Sequence, residues 1–237
     1  MASKFNFETR DQRIERMHQD NPGRSIELCV AVVDGIWDKK REAVRSKIPD
    51  RFKNADMQDL GPKEEEIIDS IDSIFASPED NDKVGLILTG PAGSGKTHAA
   101  YALMNLIADI NPDMIAYMTG YSSAINGLKT EFASGSHDEM SSIWDRLTNE
   151  SGMYDGILMV DDVSSQKLTD FELDKLMMIL EKRFNEYMPF ILTTNVKQED
   201  FISVFGERLA SRLYGYCEII EFESRDMRAD NNIQEGL

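Results

Sequence analysis

Apolar residues follow two spacings along this chain, and each spacing predicts a different element. Short runs of five or six mostly apolar residues are typical of buried strands. They occur at residues 84–89, 114–119, 156–160, 189–194 and 218–222. Segments with helical spacing lie around them, at residues 63–77, from Lys96 onward, and at 122–133, 138–150, 169–187 and 199–213. Five short strands separated by helices predict an α/β fold, in which helices flank both faces of a parallel sheet.

The first 48 residues have a separate helical pattern. Residues 25–48 follow an Asn-Pro-Gly turn and precede Pro49, which favours one amphipathic helix. Its apolar positions are Ile26, Val30, Val33, Trp37, Val44 and Ile48. A shorter helix near residues 9–19 can pair with it through Ile14 and Met17. The stripe that contains Trp37 is therefore either a helix-packing face or a partner-binding face.

A segment without clear periodicity separates this part from the predicted sheet. Residues 49–62 contain two prolines and are interpreted as an extended connector. We therefore divide the chain into an N-terminal helical segment (1–48), a connector (49–62) and a main domain (63–237).

Charge supports this division. The chain has a formal net charge of -17, yet residues 1–48 carry ten Lys and Arg against eight Asp and Glu. The remainder is strongly acidic, which argues against a surface built to coat duplex DNA, because such binding rests on cations that neutralise phosphates.

Other sequence features narrow the class of protein further. The two cysteines, Cys29 and Cys217, lie far apart and lack metal-ligand spacing, so we expect buried thiols. No apolar run approaches the roughly 18 residues of a membrane span, and the first residues lack the apolar segment of a signal peptide. We expect a cytoplasmic protein without a membrane partner.

The clearest chemical motif is a glycine-rich loop between the first strand and the next helix. The stretch GPAGSGKT at 90–97 fits the GxxxxGK[ST] pattern, in which backbone N–H groups cradle phosphates. Lys96 reaches the β- and γ-phosphates, and the Thr97 hydroxyl is a ligand for Mg²⁺. The predicted ATP-binding residues are Gly90, Pro91, Ala92, Gly93, Ser94, Gly95, Lys96 and Thr97.

Acidic and amide side chains follow two later strands. Asp161 and Asp162 end the strand at 156–160, and Asn195 ends the strand at 189–194. In a parallel sheet these residues lie at the carboxyl edge, beside the phosphate loop. We expect Asp161 to hold Mg²⁺, Asp162 to orient or deprotonate the attacking water, and Asn195 to sense the γ-phosphate or the water. Asp162 is one methylene shorter than glutamate, which predicts slow turnover.

Taken together, these motifs resemble the DnaC/IstB-type AAA+ ATPases over residues 48–228. The resemblance rests on IPDRFKNADMQDL, GPAGSGKTH, ILMVDDV, RFNEYMPFILTTN and ERLASRLYGYCEIIEFESRDMR, in that order. It implies an AAA+ core that lacks a separate helical lid, and an arginine finger at Arg212 or Arg208 that acts on a neighbouring subunit. It also implies a sensor arginine at Arg228, although Met227 stands where the family usually has tyrosine. His98 follows Thr97 as it commonly does in the family.

The resemblance implies an ATPase whose hydrolysis depends on assembly into a ring or spiral. We expect a helicase loader that docks on a hexameric replicative helicase through residues 1–48 and places it on single-stranded DNA. An IstB-type transposition helper that acts on duplex DNA is the alternative, as is an adaptor that never contacts DNA. The acidic core favours the loader. Lys129 and Arg146 are candidate DNA contacts by location only.

Overall fold

The computed structural model describes residues 8–75, 82–134, 142–163 and 168–223. Eight helices and five strands lie in these ranges. The helices are α1 (Arg10–Asp20), α2 (Ile26–Arg45), α3 (Pro62–Phe75), α4 (Lys96–Ile110), α5 (Tyr121–Ser134), α6 (Ile143–Thr148), α7 (Asp170–Asn185) and α8 (Phe201–Tyr216). The strands are β1 (Gly85–Thr89), β2 (Ile115–Gly120), β3 (Ile157–Val163), β4 (Phe190–Thr194) and β5 (Cys217–Glu221).

The five strands form one parallel sheet in the order β2-β3-β4-β1-β5. The predicted α/β architecture is therefore confirmed, and each predicted strand matches an observed one within a few residues. Because β3, β4 and β1 are neighbours, their carboxyl ends lie side by side. This order brings the segments after three different strands to one edge of the sheet.

Each face of the sheet carries its own apolar core. The first core joins α5, α6, α7 and α8 to one face, with side chains such as Leu128, Leu180 and Phe201 fully or almost fully buried. The second joins α3, α4 and the connector to the other face, around residues such as Ile67 and Leu103. Burial on both faces explains why the inner strands β1, β3 and β4 are mostly apolar.

Helices α1 and α2 form a hairpin with a small core of its own, made by Ile14, Cys29, Val33 and Trp37. Trp37 is only 4% exposed, and the Arg13 guanidinium lies 5.3 Å from its ring centroid. Of the two interpretations of the Trp37 stripe, helix packing is confirmed, and the partner-binding interpretation is wrong for this side chain because the residue is buried.

The connector differs from the expected extended chain. It contains two short 3-10 helices, Asp50–Phe52 and Met57–Leu60, and it buries Ala55 and Met57 in the second core. The Asn105 amide of α4 donates to the carbonyl oxygens of Phe52 and Ala55 at 3.2 and 2.9 Å. These bonds fix the connector against the helix that follows the phosphate loop.

Two helices also depart from their predicted lengths. Helix α6 ends at Thr148 because Asn149 adopts a left-handed conformation, with φ 56°. Helix α8 is broken at Gly206, whose φ of 77° is not helical. Among the described residues, no helix is long and apolar enough to cross a membrane. Residues 224–237 lie outside the described residues, so the absence of a helical lid stays a prediction.

Candidate functional site

The phosphate loop connects the end of β1 to the first turn of α4, as the motif predicts. Gly90, Gly93 and Gly95 all have positive φ, between 83° and 139°, which glycine adopts without strain. A Cβ on Gly90 would lie 2.2 Å from the Phe222 carbonyl oxygen, so glycine is also required there by space. The loop curls at the N-terminus of a 15-residue helix, where backbone N–H groups favour anions.

Lys96 is nearly buried within this loop. Its side chain is fixed by the loop itself: Nζ donates to the Pro91 carbonyl oxygen at 2.7 Å and to Ser94 Oγ at 3.4 Å. Lys96 and Ser94 are each 6% exposed. A cation held this close to the loop N–H groups is suited to phosphate oxygens.

Two hydroxyl groups meet on one carboxylate beside the loop. Thr97 Oγ1 donates to Asp161 Oδ1 at 2.9 Å, and Thr193 Oγ1 donates to the same oxygen at 2.7 Å. The structure therefore brings together the two predicted Mg²⁺ ligands from α4 and β3. The sequence analysis did not predict Thr193 as a site residue. Its position near the end of β4, two residues before Asn195, is the sequence feature that could have indicated it.

Asp162 occupies a β-bulge. The register between β3 and β4 shifts between Val160 and Val163, and Asp162 has φ 59°. Its backbone N–H donates to Thr193 Oγ1 at 2.8 Å, and Asn195 Nδ2 donates to its Oδ1 at 3.1 Å. Bulges of this kind often re-aim a side chain next to an active site. The predicted pair Asp162 and Asn195 is thus in direct contact.

The connector forms the opposite wall, and the sequence did not predict its contribution. Phe52 stacks on Tyr101 of α4 with ring centroids 4.9 Å apart, and the Arg51 guanidinium lies 4.5 Å from the Phe52 ring centroid. His98 contacts both this wall and Asp59, whose Oδ2 is 3.2 Å from His98 Nε2. Burial raises the pKa of the Tyr101 hydroxyl, and the Asp161 charge adds to this effect.

These walls enclose one cleft of about 870 Å³. It is lined by Arg51, Phe52, Asp59, Ala92, Gly93, Gly95, Lys96, Thr97, His98, Asp161, Asp162, Thr193 and Asn195. Within the described residues, no group of three or more His, Cys, Asp or Glu side chains could hold a metal ion by itself. The Thr97 and Asp161 oxygens are hard donors, and a site with few protein ligands fits Mg²⁺ that also binds phosphates and water.

Neither candidate arginine finger lies in this cleft. Arg208 and Arg212 are on α8, where both contact Glu181 of α7: Arg208 Nη2 is 2.6 Å and Arg212 Nη2 is 3.1 Å from Glu181 Oε1. Arg228, the predicted sensor arginine, lies outside the described residues.

The two cations that location suggested as DNA contacts have partners within the chain. Lys129 Nζ is 3.3 Å from Glu172 Oε1, and the Arg146 guanidinium lies 5.6 Å from the Tyr117 ring centroid. The location of these side chains alone does not indicate a DNA site.

Comparisons with solved structures agree with this geometry. The DnaC helicase loader matches with a TM-score of 0.59 at 23% identity, covering 73% of this chain and 99% of that one. DnaI matches with a TM-score of 0.57 at 19% identity, covering 74% and 94%. A primosome component from Streptococcus pyogenes serotype M3 matches with a TM-score of 0.52 at 17% identity, covering 77% and 95%. At these identities the matches establish the fold.

A sequence family model gives the more direct assignment. The model of the IstB-like ATP binding proteins matches residues 54–235, which include the phosphate loop and the ends of β3 and β4. We found no match among curated proteins. Because the family match spans well over half of the chain, the protein belongs to the IstB-like ATP binding protein family, and its fold is like that of the DnaC helicase loader.

Proposed function

We propose that this protein is an ATP-dependent helicase loader of DNA replication. In this proposal it docks on a hexameric replicative helicase, assembles into a ring or spiral, and places the helicase on single-stranded DNA. The observation that carries the proposal is that Arg208 and Arg212 lie outside the cleft, which is lined by the predicted phosphate, metal and water ligands. In this proposal one of these arginines completes the nucleotide site of a neighbouring subunit, so hydrolysis depends on assembly.

Within one subunit, the cleft residues have separable tasks. Lys96 and the loop N–H groups bind the phosphates, and Thr97 and Asp161 hold Mg²⁺. Bound Mg²⁺ neutralises charge on the phosphate oxygens. Asp162 orients the attacking water and accepts its proton, and the contact with Asn195 fixes the Asp162 carboxylate. Thr193 holds Asp161 and the Asp162 backbone in one arrangement.

Arg212 completes the site of a neighbouring subunit in this proposal, with Arg208 as the alternative. An arginine stays charged at all relevant pH values and can neutralise charge that develops in the transition state. Because each subunit supplies its arginine to another cleft, the rate of hydrolysis per subunit increases with assembly.

The helical hairpin is the proposed docking element of residues 1–48. Its buried stripe is used internally, but Leu28 and Ile36 lie on another face of α2 and are 50% and 36% exposed. Together with Val32 they follow an i, i+4, i+8 spacing, which places them in one row. An exposed apolar row on a helix suits a groove on a protein partner.

Charge is what favours the loader over a transposition helper. The chain belongs to the IstB-like family, so a transposition helper is the natural alternative. A protein that coats duplex DNA needs many exposed cations, however, and this chain has a net charge of -17. A loader needs mainly a protein-docking surface, and weak single-strand binding suffices. A DNA-independent adaptor is the remaining alternative.

The first experiment is light scattering of the full chain mixed with the cognate hexameric helicase, with and without ATP. We expect a complex that Leu28→Glu/Ile36→Glu abolishes. The matched control is Met153→Glu/Ile202→Glu, which places the same charges at exposed apolar sites elsewhere. Absence of any helicase complex, combined with tight duplex binding at physiological salt, would instead support the transposition helper.

The second experiment tests the cleft. Lys96→Ala should lower ATP affinity by at least about 100-fold without unfolding the chain, because it removes the buried cation from the phosphate loop. Asp162→Glu should raise the basal ATPase rate, since the longer carboxylate reaches farther toward the water. A lower rate for Asp162→Glu would count against the assigned role of Asp162.

A further inference from the structure

Glu181 of α7 is the one described side chain that contacts both candidate arginine fingers. Its Oε1 lies 2.6 Å from Arg208 Nη2 and 3.1 Å from Arg212 Nη2. The glutamate side chain is 27% exposed and Arg212 is 32% exposed, whereas Arg208 is 71% exposed. The contact to Arg212 is therefore partly shielded from water, and the contact to Arg208 is largely solvated.

Both arginines of this cluster follow the helix break at Gly206. The part of α8 that follows the break carries Arg208 and Arg212 four residues apart, so both side chains project from one face. Two like charges at this spacing repel each other. One carboxylate between them offsets the repulsion and leaves the cluster with a net charge of +1.

We propose that Glu181 is a positioning residue that fixes Arg212 for insertion into the nucleotide site of a neighbouring subunit. This inference rests on the proposed trans action of Arg212. A free arginine side chain samples many rotamers, and holding it in one of them before assembly lowers the entropy lost on reaching a phosphate. The remaining charge of +1 still attracts a phosphate group, because the second arginine balances the carboxylate.

Arg208 has a supporting task in this arrangement. Its short contact with Glu181 Oε1 shares the negative charge, so Glu181 binds Arg212 less strongly than it would alone. The contact uses Nη2 of Arg212, so the remaining guanidinium N–H groups can bind the phosphate of a neighbouring subunit while Glu181 still holds the side chain.

The test is the ATPase rate as a function of chain concentration, measured on full-length Glu181→Gln. We expect kcat of the assembled state to fall by about 5- to 10-fold, while KM and the ATP affinity of the dilute chain stay within about 2-fold. The control is Glu186→Gln, which removes the carboxylate that follows α7 and pairs with Lys182 of the same helix. Its kcat in the assembled state and its ATP affinity should equal those of wild type. Thermal melting checks that both variants are folded.

A double-variant comparison separates positioning from a general structural effect. If Glu181 acts through Arg212, Glu181→Gln should cause no further loss of kcat in an Arg212→Ala background. An equal loss in both backgrounds would overturn the proposal, as would an unchanged or increased kcat in the single variant.

Failure of the underlying function would give a different result. If Arg212→Ala left the ATPase rate of the assembled state unchanged, Arg212 would not act on a neighbouring subunit. That result would overturn both the trans action of Arg212 and the Glu181 proposal. If Arg212→Ala abolished the assembly-dependent rate and Glu181→Gln did not reduce it, only the positioning role would be overturned.

Discussion

The α1–α2 hairpin and the sheet domain are held together by different physical means. The sheet domain buries large apolar clusters on both faces of its sheet, whereas the hairpin core consists of four buried residues. The hairpin contacts the sheet domain through several ion pairs, and also through Val44 of α2, which is buried in the second core. Arg45 contacts Asp109 in the last turn of the helix that begins in the phosphate loop, and Arg13 and Lys40 contact Asp113, which follows that helix. We infer that the hairpin can respond to salt and acid under conditions that leave the sheet domain folded.

Two arginines illustrate the same difference. Arg183 of α7 is fully buried, and it donates to the carbonyl oxygens of Leu147, Gly156 and Pro189 at 2.8, 3.2 and 3.0 Å. Burial lowers its pKa to about 9. Arg13, by contrast, lies at a partly exposed interface. The buried arginine joins α6 to the residues that precede β3 and β4, whereas the partly exposed Arg13 attaches a peripheral element.

The largest expected effect is that of Arg183→Met. The change removes a hydrogen bond from each of three buried carbonyl oxygens, of which the Pro189 oxygen still accepts from the Leu158 backbone N–H at 3.1 Å. We therefore expect the free energy of unfolding to fall by about 3–5 kcal/mol. Urea unfolding measures it. Arg13→Met is the matched control and should change global unfolding by less than about 1 kcal/mol. Equal losses in the two variants would show that hairpin and sheet domain are not held differently.

Trp37→Ala should affect only the hairpin. Removing a buried indole from a four-residue core costs about 3 kcal/mol locally, so the hairpin should become sensitive to protease. ATP affinity and the main unfolding transition should stay at wild-type values, because Trp37 packs in a separate cluster. Ile36→Ala, at a position that is 36% exposed, is the control. A large loss of ATP affinity in Trp37→Ala would contradict this separation.

Asp113→Asn should lower the free energy of local unfolding of the hairpin by about 0.5–1 kcal/mol, because it removes the carboxylate shared by Arg13 and Lys40. The difference from wild type should largely vanish at about 1 M salt, where charges are screened within about 3 Å. Hydrogen exchange of the hairpin amides, at low salt and at about 1 M salt, measures this free energy in the variant and in wild type. Asp174→Asn, which breaks a pair within α7, should leave those amides unchanged.

The smallest expected effect is an acid sensitivity of the hairpin. Hydrogen bonds from Arg16 and then Arg13 lower the pKa of Glu8 from 4.5 to about 2, despite the opposing effect of burial. A lowered folded-state pKa means that this contribution is complete above about pH 4.5 and is lost as the pH falls toward 2. The difference in hairpin protection between wild type and Glu8→Gln should shrink over that interval. If this difference stayed constant between about pH 4.5 and pH 2, Glu8 would be excluded as the source of the acid sensitivity.

Much of the fold follows from local patterns that the sequence displays directly. The apolar runs identified all five strands, and the signal is strongest for β1, β3 and β4, which lie inside the sheet and are covered on both faces. The phosphate loop and its cation are contiguous in sequence, so Lys96 and Thr97 could be assigned from spacing alone. Asp161, Asp162 and Asn195 followed from one further rule, that parallel strands present their carboxyl ends at a common edge.

The remaining features required the tertiary structure, because they depend on residues far apart in the chain. Thr193 acquires its role only where the β3 bulge places Asp161 and Asp162 against β4. Phe52 reaches the cleft because Asn105 binds the connector backbone, and Glu181 meets Arg212 only because α7 packs beside α8. Sequence alone therefore determined the elements and the contiguous motif, since these depend on local spacing. Tertiary packing determined which residues line the cleft and which carboxylate contacts Arg212. The residues beside Phe52 or Glu181 in the sequence do not show that these side chains have such a role.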